Sequence, residues 1–225
     1  MGDTNNVIDI ISNIPEPLIH EIFSFMDMRS VLQTSVLSSR WRYVWKSSPI
    51  LTFDFQMFTH RFKKIHCNKN HYIKFIKNID KGFFAFRPLV RFVNLRSIKL
   101  EMNLSPWSVK KLGWLLHISP YIKSLSIVIA PGPGMPRTIT PDSEWARVSW
   151  LPRNLYHLRS VKIRGILGNI SQLKLVELIF KYAVALQEMD LYSWKKSTTE
   201  EQLIAFGEKL RTLPIASSKI STFFL

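Results

Sequence analysis

His66, Cys67 and His71 have the residue types of a metal cluster. A fourth ligand at suitable spacing is missing, so surface positions in a basic loop describe them better. Cys67 is the single cysteine. It excludes an internal disulfide, fits a reducing compartment, and lacks the surroundings of a thiol nucleophile. Gly165 and Gly168, in "GILG", have the spacing of an RNA-clamping loop but follow a strand and lack that fold's flanking helices. No phosphate loop, dinucleotide fingerprint or nucleophile elbow occurs, so catalysis, metal and cofactor are not expected. The remaining chemistry-bearing group is "SSRWRYVWKSSP", where Trp41, Tyr43 and Trp45 alternate with Arg40, Arg42 and Lys46. Such a mixture can stack on nucleic acid, lie on a membrane or anchor a partner protein.

The elements that hold this group are helical. Trp41 and Trp45 fall one turn apart, Ser38 or Ser39 can cap, and Pro49 stops the helix. Upstream, "IPEPLIHEIFSFM" starts with prolines tolerated in a first turn. Leu18, Ile22 and Phe25 form one apolar stripe, and Ile19, Phe23 and Met26 a second beside it, so this helix needs cover on more than one side. A middle helix, "RSVLQTSVL", puts Val31, Leu32, Ser35 and Val36 on one face, with Asp27 as its N-cap. Three short helices over residues 10–48 cannot bury all these side chains alone. Periodicity leaves two readings open for the tryptophans, a partner interface or the core of a larger domain.

Charge separates this part from the rest. Residues 1–60 carry four basic and six acidic side chains, residues 61–160 eighteen and four, and residues 161–225 nine and six. The module around the tryptophans is thus slightly acidic, which disfavours a nucleic-acid platform there. The basic excess lies in the middle, densest over Arg61–Lys99, where Asp80 is the only acid. Phenylalanines are spread through that segment. An acidic partner or nucleic acid is one reading, and a solvated helical face is the other. "HYIKFIKNIDKGFF", with Ile73 and Ile76 at helical spacing, supports the second. Hydrophobic residues are 46% and charged residues 21% of the chain, a globular rather than disordered balance. No apolar run approaches a membrane span, and "MGDTNNVIDI" has the pattern of neither a secretory signal nor an N-myristoylation site.

"ISNIPEPLIHEIFSFMDMRSVLQTSVLSSRWRYVWKSSPILTFDF" resembles a plant-type F-box, most specifically through "SVLSSRWRYVW". The resemblance implies a trihelical module over residues 10–50 that binds a Skp-type adaptor and, through it, the cullin of an SCF ubiquitin ligase. Carried over by position, Ile14 and Pro15 match the opening Leu-Pro pair. Leu18, Ile22, Phe25, Leu32 and Val36 match the apolar positions, and Trp41 and Trp45 the terminal tryptophans. These nine are the adaptor-binding residues that the resemblance implies. Ile14 departs from the usual Leu, and Met28 stands where the pattern has a capping Thr. That loss costs about 1 kcal/mol unless Asp27 caps instead.

"ILTFDF" alternates apolar positions and reads as a leading strand. Four later segments resemble one another: "LRSIKLEMN", "IKSLSIVIA", "LRSVKIRGI" and "LQEMDLYSW", beginning at Leu95, Ile122, Leu158 and Leu186. Two are preceded by helical stretches. A helix and a short strand at this period is a leucine-rich-repeat pattern, here irregular. An ordinary α/β domain is the alternative, and in either case parallel strands joined by helices are expected. "APGPGMPRTITP" is a loop and marks a boundary. Beyond it, Gly165, Gly168, Leu186, Met189, Leu213, Pro214, Ala216 and Ser217 are placed as in the plant FBD domain, with Ile215 where that family has Arg. That resemblance names a relative and brings no chemistry with it.

The expected architecture is an α+β repeat protein. A flexible N-terminus (residues 1–9) leads into the F-box (10–50), then a short basic leucine-rich-repeat-like region (51–141) and an FBD module (142–225). The expected function is a non-catalytic substrate receptor of an SCF-type ligase, in the cytoplasm or nucleus. It binds a Skp-type adaptor and an unknown target, and needs no membrane and no cofactor. Two alternatives stand beside it: a degenerate F-box protein without a target, and a nucleic-acid-associated basic protein.

Overall fold

Polar and apolar residues alternate in each of the strand segments, and in the folded chain that alternation sorts one sheet into a buried and an open face. The computed structural model describes residues 10–55, 91–130, 155–193, 199–217 and 221–224. The basic segment with Ile73 and Ile76, the His66–Cys67–His71 group and the loop from Pro131 to Pro141 lie outside the described residues. In chain order the elements are α1 (Ile10–Asn13), α2 (Glu16–Ser24), α3 (Met28–Gln33) with a 3-10 turn (Thr34–Val36), α4 (Trp41–Val44), β1 (Ile50–Asp54), β2 (Ser97–Met102), α5 (Pro106–Ile118), β3 (Ser124–Ile129), β4 (Ser160–Ile166), α6 (Ile170–Tyr182), β5 (Glu188–Ser193), α7 (Glu200–Arg211) and β6 (Ser221–Phe224).

The six strands form one parallel sheet in sequence order, β1 to β6. Ser97, Ser124, Ser160 and Glu188 stand side by side in register. The four similar segments therefore occupy equivalent places despite their unequal spacing. In each, the opening residue and the apolar residues three and five positions on are buried: Leu95, Ile98, Leu100; Ile122, Leu125, Ile127; Leu158, Val161, Ile163; Leu186, Met189, Leu191. Val109, Leu112 and Leu116 of α5, Leu175, Val176 and Ile179 of α6, and Phe206 and Leu210 of α7 join the same core. Among the described residues, helices thus cover one face and none covers the other, an arrangement that resembles a solenoid more than a doubly covered α/β sheet.

The helices start where local chemistry satisfies their free N–H groups. Ser105 accepts from the Ser108 N–H, Thr199 from that of Gln202, and Asn169 forms a reciprocal capping box with Gln172. Gln172 is itself buried. Its Nε2 donates to the Gly165 carbonyl (2.9 Å) and its Oε1 accepts from the Leu167 N–H (2.8 Å). These bonds fasten the turn between β4 and α6, where Gly165 and Gly168 take positive φ. The sheet continues in register from β3 to β4 across the residues between them. The Ala216 N–H donates to the Phe180 carbonyl, and the Ser217 hydroxyl to that of Leu186, pinning this closing segment beside α6 and β5.

Residues 10–48 differ from expectation in detail. Four short α-helices are present rather than three. The middle one tightens into a 3-10 turn at Thr34, so Val31 and Leu32 are buried while Val36 is 74% exposed. Fewer residues per turn rotate Val36 away from the face that 3.6-residue periodicity assigns it.

Candidate functional site

The two stripes of α2 have opposite fates. Ile19 and Phe23 are fully buried and Met26 packs against the same core. Leu18, Ile22 and Phe25 stay exposed, Phe25 at 85%. Val36 is exposed as well, as are Ile10, Ile11, Leu37 and Tyr43, among the described residues. Water contact with this many large apolar groups on one small bundle makes it a candidate binding surface.

Of the other expected contact residues, Pro15 is exposed and the rest lie partly or wholly inside. Ile14 is partly buried against the core, Pro15 is the residue that starts α2, and Leu32 is buried. Trp41 is 3% exposed. Its ring meets Phe23 edge-on with centroids 5.7 Å apart, and its Nε1–H donates to the Ile11 carbonyl at 2.9 Å. Trp45 is 5% exposed, donates to the Arg42 carbonyl at 2.9 Å and packs on Phe92 with centroids 5.8 Å apart. Of the nine positions, then, Pro15, Leu18, Ile22, Phe25 and Val36 are exposed, Ile14 is partly buried, and Leu32, Trp41 and Trp45 belong to the interior.

Polar groups hold this bundle in shape. The Arg40 guanidinium donates to the Ser12 and Ile14 carbonyls (3.2 and 2.6 Å), fixing the segment that leads into α2. Asp27 caps α3: its carboxylate accepts from the Ser30 N–H and from the Ser30 hydroxyl, both at 3.0 Å. Asp27 therefore replaces the cap that Met28 cannot supply, and Met28 is buried instead. Asp27 also forms a parallel bridge with Thr52 of β1.

The open face of the sheet is the second surface. Its register rows run Thr52, Lys99, Ser126, Lys162, Asp190 and, next along, Asp54, Glu101, Val128, Arg164, Tyr192. Lys162 pairs with Asp190 at 3.0 Å. Hydrogen bonding to Asp190, and then to Tyr192, raises the Lys162 pKa above its ordinary value. Arg164 also lies over the Tyr192 ring, 5.8 Å from its centroid. The sequence reading assigned no role to these residues. The signal was available, since the polar positions of an alternating, one-sided strand are its solvent face. Among the described residues, no group of three His, Cys, Asp or Glu is placed to hold a metal, and no helix is long and apolar enough to cross a membrane.

Comparison with known proteins bears on the helical bundle first. Residues 11–53 match the F-box domain. An F-box/LRR-repeat protein of Arabidopsis thaliana is 43% identical over 53 residues, covering 24% of this chain and 12% of that protein. A second Arabidopsis protein with F-box/LRR-repeat in its name is 34% identical over 134 residues, 59% of this chain and 26% of its own length. A third, with F-box/FBD/LRR-repeat in its name, is 29% identical over 113 residues, 50% of this chain and 22% of its own. The matched part of the chain thus spans about a quarter or less of each of these relatives. No solved structure matches. At the N-terminus, an F-box domain of short helices is followed by a parallel sheet with helices on one side.

Proposed function

We propose that this chain is a substrate-recognition subunit of an SCF-type ubiquitin ligase, docking a Skp-type adaptor through its helical bundle. F-box domains generally bind such adaptors and through them cullin. The observation that carries the reading is the outward stripe of α2: Leu18, Ile22 and Phe25, exposed at i, i+4 and i+7. This is the form in which a helix offers anchors to a hydrophobic groove. Val36 and Pro15 are exposed on the same bundle, and Leu32, Trp41 and Trp45 lie in its core. The subunit itself is non-catalytic and acts by proximity, raising the effective concentration of a target near the ligase. A leucine-rich-repeat-like region over 51–141 and an FBD module over 142–225 present the target, in the cytoplasm or nucleus.

The test is titration of the full chain with a Skp-type adaptor, wild type beside Leu18→Asp/Phe25→Asp. The variant is expected to fold and to lose about 2 kcal/mol or more of binding, as truncated anchors do. A folded wild-type chain that ignores excess adaptor would sink the reading.

A further inference from the structure

The residue just before each strand repeats its place in the sheet. The Lys123 N–H donates to the Arg96 carbonyl (2.7 Å), that of Arg159 to Lys123 (2.9 Å), and that of Gln187 to Arg159 (2.8 Å). Arg96, Lys123 and Arg159 therefore form a ladder of cations along the rim where β2, β3 and β4 begin. Neighbouring strands lie about 4.8 Å apart, so the ladder is about 10 Å long. One position inboard runs a matching row of Ser97, Ser124 and Ser160. Lys123 and Arg159 are exposed, and neither makes an ion pair among the described residues. Arg96 is half-buried, steadied by the Val93 and Leu95 carbonyls and set over the Tyr121 ring at 5.5 Å. Tyr121 in turn leans on His157, with ring centroids 5.4 Å apart.

The geometry points to this rim as a docking surface for a short, extended, acidic (Asp/Glu) segment of a target protein. The inference rests on the receptor reading above and names what the rim beside that receptor's open face takes. Charge complementarity carries it: three cations in register, with the Ser97 and Ser124 hydroxyls beside them to donate to carboxylates, while the Ser160 hydroxyl donates to Glu188 at 3.5 Å. An extended chain rises about 3.3 Å per residue, so a segment lying across the strands covers the ladder in about three residues. A polynucleotide fits less well. Its charge runs on past the three cations toward Glu188 and Asp190 of the next strand and toward Glu101 and Asp54 across the face, whereas a short acidic segment ends with the ladder.

Fluorescence anisotropy of the full chain with a labelled glutamate-rich peptide tests this, beside a glutamine analogue and a single-stranded oligodeoxynucleotide of equal charge. The basic chain attracts any anion, so position must be separated from net charge. Lys123→Glu/Arg159→Glu is the rim variant; Lys209→Glu/Arg211→Glu, in the exposed last turn of α7, changes charge equally elsewhere. The expected result is binding of the acidic peptide alone, weakened about tenfold or more by the rim variant and little by the control. Equal weakening in both variants, tighter binding of the oligonucleotide, or no peptide binding by the wild type overturns the inference. Adaptor titration of the same proteins keeps the two readings apart. A chain that binds adaptor but no peptide fails only here, and one that binds peptide but no adaptor fails only the ligase reading.

Discussion

Trp41→Ala is expected to act on folding and not on adaptor contact. The side chain is 3% exposed. Burying a tryptophan removes on the order of 200 Å² from water, at about 25 cal/mol per Å². Alanine keeps about 2 kcal/mol of that, and the indole N–H bond to the Ile11 carbonyl adds about 1 kcal/mol. A loss of about 4 kcal/mol follows, in line with large-to-small changes in packed cores. That is a large share of the about 5–15 kcal/mol by which domains are stable. Phe25→Asp is the counterpart. At 85% exposure the ring buries so little that folding should change by less than about 1 kcal/mol. Urea unfolding followed by circular dichroism, with adaptor titration at a temperature where both variants are folded, separates them. The expected pattern is crossed: Trp41→Ala shifts the urea midpoint strongly and binds adaptor when folded, while Phe25→Asp keeps the midpoint and loses binding. The reasoning is refuted if Trp41→Ala unfolds like wild type yet no longer binds.

Gln172→Ala should cost about 2–4 kcal/mol in the same unfolding assay, because it strands the Gly165 carbonyl and the Leu167 N–H; a shift below about 0.5 kcal/mol would show that water replaces the amide without penalty. Lys162 sets an alkaline limit. Its pKa is raised in the folded chain, first by Asp190, so its stabilising contribution is whole below the ordinary value of 10.5 and is lost as pH climbs through the raised one. Lys162→Met should remove that part of the decline in urea midpoint between about pH 9 and pH 12; an unchanged decline would show that the Asp190 pair does not contribute.

The parallel sheet was legible because period-two alternation survives in Leu95–Leu100, Ile122–Ile127, Leu158–Ile163 and Leu186–Leu191, where each apolar residue meets the core. The Asp27 cap was legible for a similar local reason, a short acceptor placed before a free helix end. Trp41 and Trp45 were not. Helical spacing puts them on one side, but only Phe23 and Phe92, remote in sequence, decide that the side is covered. Val36 was misplaced because a tightened turn breaks the 3.6-residue count from which its face was read. The cation ladder was hidden for another reason. Arg96, Lys123 and Arg159 are scattered in the sequence, and only the register of the strands makes neighbours of them.

That register has a further consequence. The distance from Leu95 to Ile122 is 27 residues, from there to Leu158 it is 36, and to Leu186 it is 28, yet the strands pair without a shift at Ser97, Ser124, Ser160 and Glu188. Closing a loop of 36 rather than 27 residues costs only about 0.3 kcal/mol. Slipping a strand by one residue would turn every buried side chain outward. Insertions and deletions in the crossovers are therefore nearly free, while single-residue changes within strands are not. Lineages of such chains can lengthen or trim their loops and leave the order of residues on the open face as it was.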